Sequence, residues 1–221
     1  MPDPDATRPS GLFVVLEGID GSGSTTQAHR LVAALERSGS PALFTFEPSE
    51  GPVGQLIRAA LERRLKDRAG EPHSLDWVGL ALLFAADRAD HAQTVVRPAL
   101  ERGVVVVSDR YDLSSLVYQS VSAGSPPGAL AWIRTLNSRA PRPDLTIVLD
   151  VSAQVAEQRR RSRAQADELF EVPELQRHLA ETYAGAERLV PGDRLVHVDG
   201  EAPLDEVSNA VFALVQALEK T

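Results

Sequence analysis

The sequence predicts an α/β domain in which helices cover both faces of a parallel sheet. Short apolar runs recur along the 221 residues, and helix-length amphipathic segments separate them. The last of these segments opens with Pro203, a residue type that is common in a first helical turn. Sheets of this kind bind ligands at the carboxyl ends of their strands. The predicted strands are Leu12–Leu16, Ala42–Phe46, Val104–Val107, Leu145–Leu149 and Leu195–Val198.

A glycine-rich turn follows the first strand. Residues 18–25 (the phosphate loop) match the pattern G-x-x-x-x-G-K-[ST], except that Ser24 stands where lysine is expected. Backbone N–H groups of such a loop converge at a helix N-terminus and favour anions, and the Thr25 hydroxyl can bind Mg²⁺. A turn without a ligand is the alternative, but the preceding strand and the following amphipathic helix favour phosphate binding. The candidate nucleotide-binding residues are Gly18, Ile19, Asp20, Gly21, Ser22, Gly23, Ser24, Thr25 and Thr26.

Composition narrows the class of protein. A net charge of −8 argues against nonspecific nucleic-acid binding, but it does not exclude a small anionic substrate. The absence of cysteine excludes disulfides and thiolate metal sites, and the apolar runs are too short to span a membrane. Residues 1–10 are polar and lack the apolar core of a secretory signal. We therefore expect a flexible tail over residues 1–10, a single domain over residues 11–221 and a cytoplasmic location.

The third strand ends in charged residues. Val104–Val107 leads into Asp109 and Arg110, at the sheet edge where the phosphate loop is also expected. A carboxylate suits Mg²⁺, directly or through water, and a guanidinium suits bidentate binding of phosphate. A salt bridge at the strand end is the alternative, but the nearby phosphate loop favours a functional site.

Two further groups are candidates for binding a base or a sugar. Phe84 and Arg88 lie four residues apart, so on a helix they share a face where a ring can stack on a base and a guanidinium can hydrogen-bond its edge. Ser115, Tyr118 and Gln119 lie within about one helical turn and can hydrogen-bond to a sugar or base. The alternatives are a core phenylalanine beside a surface arginine, and the ordinary polar face of a helix.

The densest positive run of this acidic chain comprises Arg159, Arg160, Arg161 and Arg163. A solvated helix face is one explanation, and a lid over about residues 159–172 that closes onto phosphoryl groups is the other. The chain has two lysines, Lys66 in a charged segment and Lys220 beside the C-terminus. Any cation that replaces the missing lysine should therefore be an arginine.

Together and in this order, several segments resemble the thymidylate kinase family of P-loop nucleoside monophosphate kinases. The resemblance extends over nearly the whole chain from Gly11. It implies a P-loop fold with a five-stranded parallel core, a homodimer, and Mg²⁺-dependent phosphoryl transfer from ATP to dTMP, with ATP bound at the phosphate loop. The matching segments are Val14–Gln27, Phe46–Pro48, Leu82–Arg88, Asp109–Gln119, Arg142–Asp150 and the arginine run.

The resemblance also implies roles in binding the thymidine part of dTMP. Phe84 would stack on thymine, and Arg88 would hydrogen-bond its edge. Ser115 and Gln119 would face the base, and Tyr118 would face the sugar.

Other roles implied by the resemblance concern the sugar hydroxyl, the phosphates and the metal. Asp20 would contact the 3′-hydroxyl of the deoxyribose. Arg110 would hold the acceptor phosphate, with Arg58 as a weaker candidate nearby. Asp109 and Glu47 would organise Mg²⁺ and the acceptor. The arginines that match the family's lid, which approaches ATP, are Arg159, Arg161 and Arg163.

The sequence departs from the family pattern near the transferring phosphoryl group. Ser24 replaces the lysine of the phosphate loop, and Phe46 stands where many bacterial members have an arginine. Ser49–Glu50 replaces a pair of glycines, and Glu168–Glu171 lacks an arginine that is frequent in the lid. Three cations are therefore missing, and we expect the change to affect the rate more than nucleotide binding.

The first hypothesis is an active thymidylate kinase in which lid arginines supply the charge that Ser24 cannot. The second is a catalytically impaired homologue that binds nucleotides without turnover. The third is a kinase for another nucleoside monophosphate or for a nucleoside.

Overall fold

A computed structural model describes residues 11–122, 124, 126–162 and 172–219. The strands in these ranges are β1 (Phe13–Glu17), β2 (Ala42–Phe46), β3 (Val105–Asp109), β4 (Leu145–Asp150) and β5 (Leu195–Asp199). They form one parallel sheet in the order β2-β3-β1-β4-β5. Helices pack on both of its faces, which confirms the predicted α/β class with its five-stranded parallel core.

Helices connect the strands. Those of the described ranges are α1 (Ser24–Arg37), α2 (Pro52–Leu61), α3 (Trp77–His91), α4 (Arg97–Glu101), α5 (Asp112–Ser122), α6 (Ala129–Asn137), α7 (Ala153–Arg161), α8 (Pro173–Tyr183) and α9 (Leu204–Glu219). A π-helical turn at Ala92–Val96 joins α3 to α4, and a 3₁₀ turn covers Ala186–Arg188. Helix α9 begins at Leu204, one residue after the Pro203 that was predicted to open it. None of these helices has both the length and the apolar character needed to cross a membrane.

Several strands extend further than the apolar runs predict. At their carboxyl ends, β1, β3, β4 and β5 include the carboxylates Glu17, Asp109, Asp150 and Asp199. Backbone pairing does not require an apolar side chain, so the sheet continues past the runs, and Asp150 still lies opposite Asp199. The predicted ends were therefore short at the edge of the sheet where ligands are expected.

The core lies on both sides of the sheet. Strands β1, β3 and β4 are buried, as expected for continuous apolar runs between two helical layers, whereas the edge strands β2 and β5 are half-buried. One face packs against α1 and α9. On the other face α4 packs against β1 and β3, while α2, α3, α5, α6 and α8 form a cluster that includes Val148 of β4. The residues that follow β1, β2 and β3 are thus held by adjacent rigid strands.

Some predictions concern residues outside the described ranges. They are the flexible tail over residues 1–10, the role of Arg163, and residues 163–171 of the lid with the departure at Glu168–Glu171. The extent of the single domain, residues 11–221, stays a prediction.

Candidate active site

The phosphate loop joins β1 to α1 and packs closely against α7. Gly21 has a φ of 93°, a left-handed conformation that residues with side chains rarely adopt. A Cβ atom at this position would lie 2.5 Å from the carbonyl oxygen of Ala156. The loop is closed by a 2.9 Å hydrogen bond from the Ser22 N–H to the Ile19 carbonyl. Helix α1 begins directly after it, so the unpaired N–H groups of its first turn adjoin the loop.

Ser24 is buried at the first position of α1 and brings no positive charge to the loop. Guanidinium groups bind the loop backbone instead. Arg110, Arg160 and Arg159 donate to the carbonyls of residues 18, 20 and 22 respectively, the first at 2.9 Å and the last at 3.1 Å. Three arginines therefore hold the carbonyls of alternating loop residues.

Helix α7 presents its arginines on two faces. Arg159 contacts the phosphate loop, whereas Arg161 is exposed and paired with Glu157. The predicted role of Arg159 towards ATP stays a prediction. Arg160, which was not predicted as a site residue, also contacts the loop. Helical periodicity could have found it, because Arg159 and Arg160 lie three and four residues after Ala156, the residue that packs on the loop.

Thr25 and Asp109 meet at the start of α1 and the end of β3. The Thr25 hydroxyl donates to Asp109 Oδ2, and Asp109 Oδ1 is buried without a hydrogen-bond partner among the described residues. This donor set fits Mg²⁺, which prefers hard oxygen ligands and keeps water and phosphate oxygens in its shell. No cluster of three or more His, Cys, Asp or Glu side chains within the described ranges could hold a metal by itself. A magnesium ion would therefore need the nucleotide phosphates as further ligands.

A buried ion pair joins Glu47, after β2, to Arg88 on α3. Arg88 Nη2 lies 2.6 Å from Glu47 Oε2, and His91 Nδ1 lies 3.2 Å from Glu47 Oε1. Arg88 also donates to Asn137 Oδ1 and to the Tyr111 carbonyl. Burial alone lowers the pKa of Arg88, but Glu47 raises it above its ordinary value, so the guanidinium stays charged. Arg88 is only 1% exposed, so the alternative of a surface arginine is wrong.

A cleft with an empty volume of about 560 Å³ lies beside this ion pair and the phosphate loop. This acceptor cleft is lined by Asp20, Glu47, Pro48, Leu61, Phe84, Arg88, Arg110, Tyr111, Ser114, Ser115, Tyr118 and Gln119. Arg58 is the one predicted acceptor residue missing from its lining. Arg58 donates to the carbonyls of Pro48 and Ser49, each at 2.6 Å, and lines a neighbouring cleft with Thr25 and Asp109.

Several residues of the acceptor cleft carry buried polar atoms without a partner in the described part of the chain. Among these atoms are Arg88 Nε, Ser115 Oγ, Gln119 Oε1 and the Tyr111 hydroxyl oxygen. An unpaired buried polar group costs about 1–3 kcal/mol, so such atoms mark places where a ligand is expected to complete the hydrogen bonds. Ser115 and Gln119 are four residues apart on α5 and share one face, while the half-buried Phe84 supplies an aromatic surface from α3.

Arg110 and Asp20 form the junction between the acceptor cleft and the phosphate loop. Arg110 Nη2 lies 2.6 Å from Asp20 Oδ1, and the Tyr118 hydroxyl donates to Asp20 Oδ2 at 3.1 Å. The guanidinium also lies over the Tyr118 ring, 5.1 Å from its centre. Burial lowers the pKa of Arg110, but Tyr118 and Asp20 raise it well above its ordinary value. The Arg110 guanidinium therefore stays charged within this ion pair.

Glu17 supports this junction by binding the residues that follow Arg110. It was not predicted as a site residue. It is fully buried at the end of β1, where it accepts hydrogen bonds from the N–H groups of Tyr111 and Ser114 at 2.9 and 3.1 Å. The hydroxyls of Ser114 and Tyr183 donate to it at 2.7 and 2.8 Å. Burial raises the pKa of Glu17 to about 7, against the opposing effect of Arg110. The signal in the sequence was a carboxylate directly after an apolar run.

Comparisons with known proteins give one consistent result. The family model described as thymidylate kinase matches residues 16–211. A probable thymidylate kinase of Pyrococcus abyssi is 42% identical over 206 residues, which cover 93% of this chain and 96% of that protein. Thymidylate kinases of Symbiobacterium thermophilum and Xanthomonas oryzae are 39% and 36% identical, covering 93% and 95% of this chain and 92% and 85% of those proteins. Because each comparison covers most of this chain and most of the relative, the chain belongs to the thymidylate kinase family.

Proposed function

We propose that the chain transfers the γ-phosphoryl group of Mg²⁺-bound ATP to dTMP, yielding ADP and dTDP. The observation that carries this proposal is the position of the acceptor cleft beside the phosphate loop, with Arg110 and Asp20 at their junction. The curated relatives compared above all bear the name thymidylate kinase, and nothing favours a homologue without activity or another acceptor.

The chemistry of the cleft suits a thymine base. Arg88 Nε offers a donor and Gln119 Oε1 an acceptor, and neither has a partner among the described residues. Thymine presents a carbonyl acceptor beside an N–H donor on its edge, whereas cytosine presents the reverse order. The ring of Phe84 can stack on the base. We therefore expect dTMP to be preferred over dCMP.

The residues around the phosphates promote the reaction by positioning the reactants and by supplying charge. Phosphoryl transfer requires little covalent chemistry from the protein, so aligned reactants and stabilisation of the developing charge supply most of the rate. Arg110 holds the acceptor phosphate, and the phosphate loop N–H groups hold the nucleotide. Bound through Thr25 and Asp109, Mg²⁺ would neutralise charge on the nucleotide phosphates.

Arginines replace the missing lysine in this proposal. Arg159 lies against the phosphate loop through the Ser22 carbonyl and donates to the Gly200 carbonyl at 2.9 Å. Its guanidinium is therefore within reach of the loop that holds the phosphates, and Arg160 stiffens the same loop. Charge is supplied from α7 instead of from position 24.

We also propose a homodimer in the cytoplasm. Leu56 on α2 and Leu82 on α3 are 43% and 48% exposed, and the two helices pack against each other. An exposed apolar surface of this kind is typical of a contact between protein chains. The cytoplasmic location rests on the sequence alone, and fractionation of the cells that produce the protein would test it.

Product analysis with ATP, Mg²⁺ and dTMP tests the proposed function. We expect dTDP to form, with dTMP preferred over dCMP, and we expect Arg110→Ala to lower kcat/KM by on the order of 10²-fold because the acceptor phosphate loses its guanidinium. Arg177→Ala, which removes an exposed arginine paired with Glu174, is the matched control.

Absence of dTDP at high enzyme and saturating nucleotides would contradict the proposal. Thermal stabilisation by ATP and dTMP without product would then identify a nucleotide-binding homologue, because ligands that bind the folded state raise its stability whether or not they react. Turnover with another acceptor alone would identify a different kinase.

A further inference from the structure

Two helices hold Asp20: α7 contacts its backbone, and α8 contacts its side chain. Arg160 on α7 donates to the Asp20 carbonyl and, at 3.4 Å, to Oε1 of Gln176 on α8. Nε2 of Gln176 in turn donates to Asp20 Oδ2 at 3.3 Å. These contacts close a ring through three residues, and α7 and α8 pack against each other beside it.

Chemistry fixes the orientation of the Gln176 amide in this ring. A guanidinium only donates, so it must face the amide oxygen, and an ionised carboxylate only accepts, so it must face the amide nitrogen. Gln176 is fully buried, and its neutral side chain joins a cation to an anion without adding a charge. A glutamate here would repel Asp20, and a leucine would leave the carboxylate without this donor.

Gln176 reaches the acceptor cleft through Asp20, because it is not among the residues that line the cleft. Arg110 and Tyr118 donate to Oδ1 and Oδ2 of the same carboxylate. The amide of Gln176 donates to Oδ2 from outside the cleft, and thereby limits rotation of the carboxylate about its Cβ–Cγ bond. Carboxylate oxygens accept more than one hydrogen bond each, so a ligand hydroxyl can still bind in the direction that these donors leave open.

We propose that Gln176 is a positioning residue that sets how strongly the enzyme recognises the 3′-hydroxyl of its acceptor. It does so by holding the Asp20 carboxylate in the orientation that accepts this hydroxyl. The inference rests on the proposed function, in which Asp20 binds the deoxyribose of dTMP. It adds a residue of α8, outside the cleft, to the determinants of acceptor choice.

The test compares two acceptors, dTMP and 3′-deoxythymidine monophosphate, which lacks the hydroxyl. We expect Gln176→Leu to lower kcat/KM about tenfold for dTMP and less than about twofold for the 3′-deoxy compound, since only the first uses the carboxylate. Gln176→Glu keeps the volume and the contact to Arg160 but repels Asp20, so it should show the same selective loss. Arg177→Leu changes the adjacent, exposed residue of α8 and should leave both values unchanged.

An equal loss for the two acceptors would assign Gln176 a merely structural role and overturn the inference, as would no loss for either. If Gln176→Leu fails to fold, the isosteric Gln176→Glu variant decides. Calorimetric Kd values for both acceptors make the same comparison without turnover. Binding of dTMP without dTDP formation would thus contradict only the proposed function, and failure of the wild-type protein to bind either acceptor would contradict both.

Discussion

Glu17 has no contact with solvent, so its neighbours determine its charge. It accepts hydrogen bonds from the backbone that follows Arg110 and from the hydroxyls of Ser114 and Tyr183. These donors and the charge of Arg110 favour the ionised form, but burial outweighs them and raises the pKa to about 7. A single carboxyl group thus connects β1, the start of α5 and α8, close to the junction of the acceptor cleft and the phosphate loop.

Titration of Glu17 should make stability depend on pH. Its pKa is about 7 in the folded protein against an ordinary value of 4.5, so between these pH values the folded state holds a proton that the unfolded state releases. The contribution of Glu17 to stability is complete below pH 4.5 and is lost as the pH rises through 7, by on the order of 3 kcal/mol.

Urea unfolding at pH 5, 6, 7 and 8 measures this effect. Glu17→Gln cannot titrate, so its free energy of unfolding should fall less over this range than that of the wild-type protein. The exposed Glu174→Gln serves as control. Equal slopes for Glu17→Gln and the wild-type protein would contradict the prediction.

Helix α7 acts as a unit that carries positive charge to the phosphate loop on one face and to solvent on the other. The face is set by Ala156, which packs on Gly21 and places Arg159 and Arg160 against the loop carbonyls. Arg161 belongs to the other face. Glycine in the loop and alanine in the helix permit the close approach that brings the guanidinium groups within hydrogen-bonding distance.

Substitutions on the two faces of α7 should have unequal effects. Arg159→Ala removes a guanidinium beside the phosphates, and we expect kcat to fall by on the order of 10²-fold. Arg161→Ala removes an exposed ion pair with Glu157, and we expect kcat to change by less than about twofold. Steady-state kinetics at saturating ATP and dTMP measure both values. Near-full rate in Arg159→Ala would show that this arginine does not replace the missing lysine.

The molecule as a whole is acidic, but four of its arginines lie around the phosphate loop and the acceptor cleft. A net charge of −8 coexists with the buried or half-buried Arg88, Arg110, Arg159 and Arg160 at these places. Local charge of this kind attracts anionic substrates, while the overall negative charge discourages binding to nucleic acid. Helices α2 and α3 also leave the apolar side chains of Leu56 and Leu82 exposed, which gives the molecule a second distinct surface.

The proposed dimer should depend on that surface. Light scattering of the purified protein should give twice the mass of one chain, and Leu82→Glu should lower it towards one chain because a charge is placed in an apolar contact. Leu204→Glu is the matched control. Leu204 is 50% exposed at the start of α9, and this helix packs on the other face of the sheet. A wild-type monomer at tens of micromolar, or equal effects of both variants, would contradict the proposal.

The sequence predicted those parts of the structure that depend on neighbouring residues. Buried strands appear as apolar runs, and the phosphate loop follows from the glycines and the hydroxyl of Thr25. Gln176 could not be found in this way, because its role depends on contact with Asp20, which lies 156 residues away. Arg58 was predicted from the resemblance but does not line the acceptor cleft. Its guanidinium instead donates to the carbonyls of Pro48 and Ser49.

The backbone conformation of Arg110 lowers the stability of the folded chain and places a cation at the site. Arg110 has a φ of 71°, a left-handed conformation that costs a residue with a side chain about 1–2 kcal/mol compared with glycine. That conformation directs the guanidinium towards Gly18 and Asp20. Those two contacts compensate part of the deficit in the unliganded chain. A turn that sacrifices some durability to aim a cation in advance spares the bound anion the cost of reorganising it.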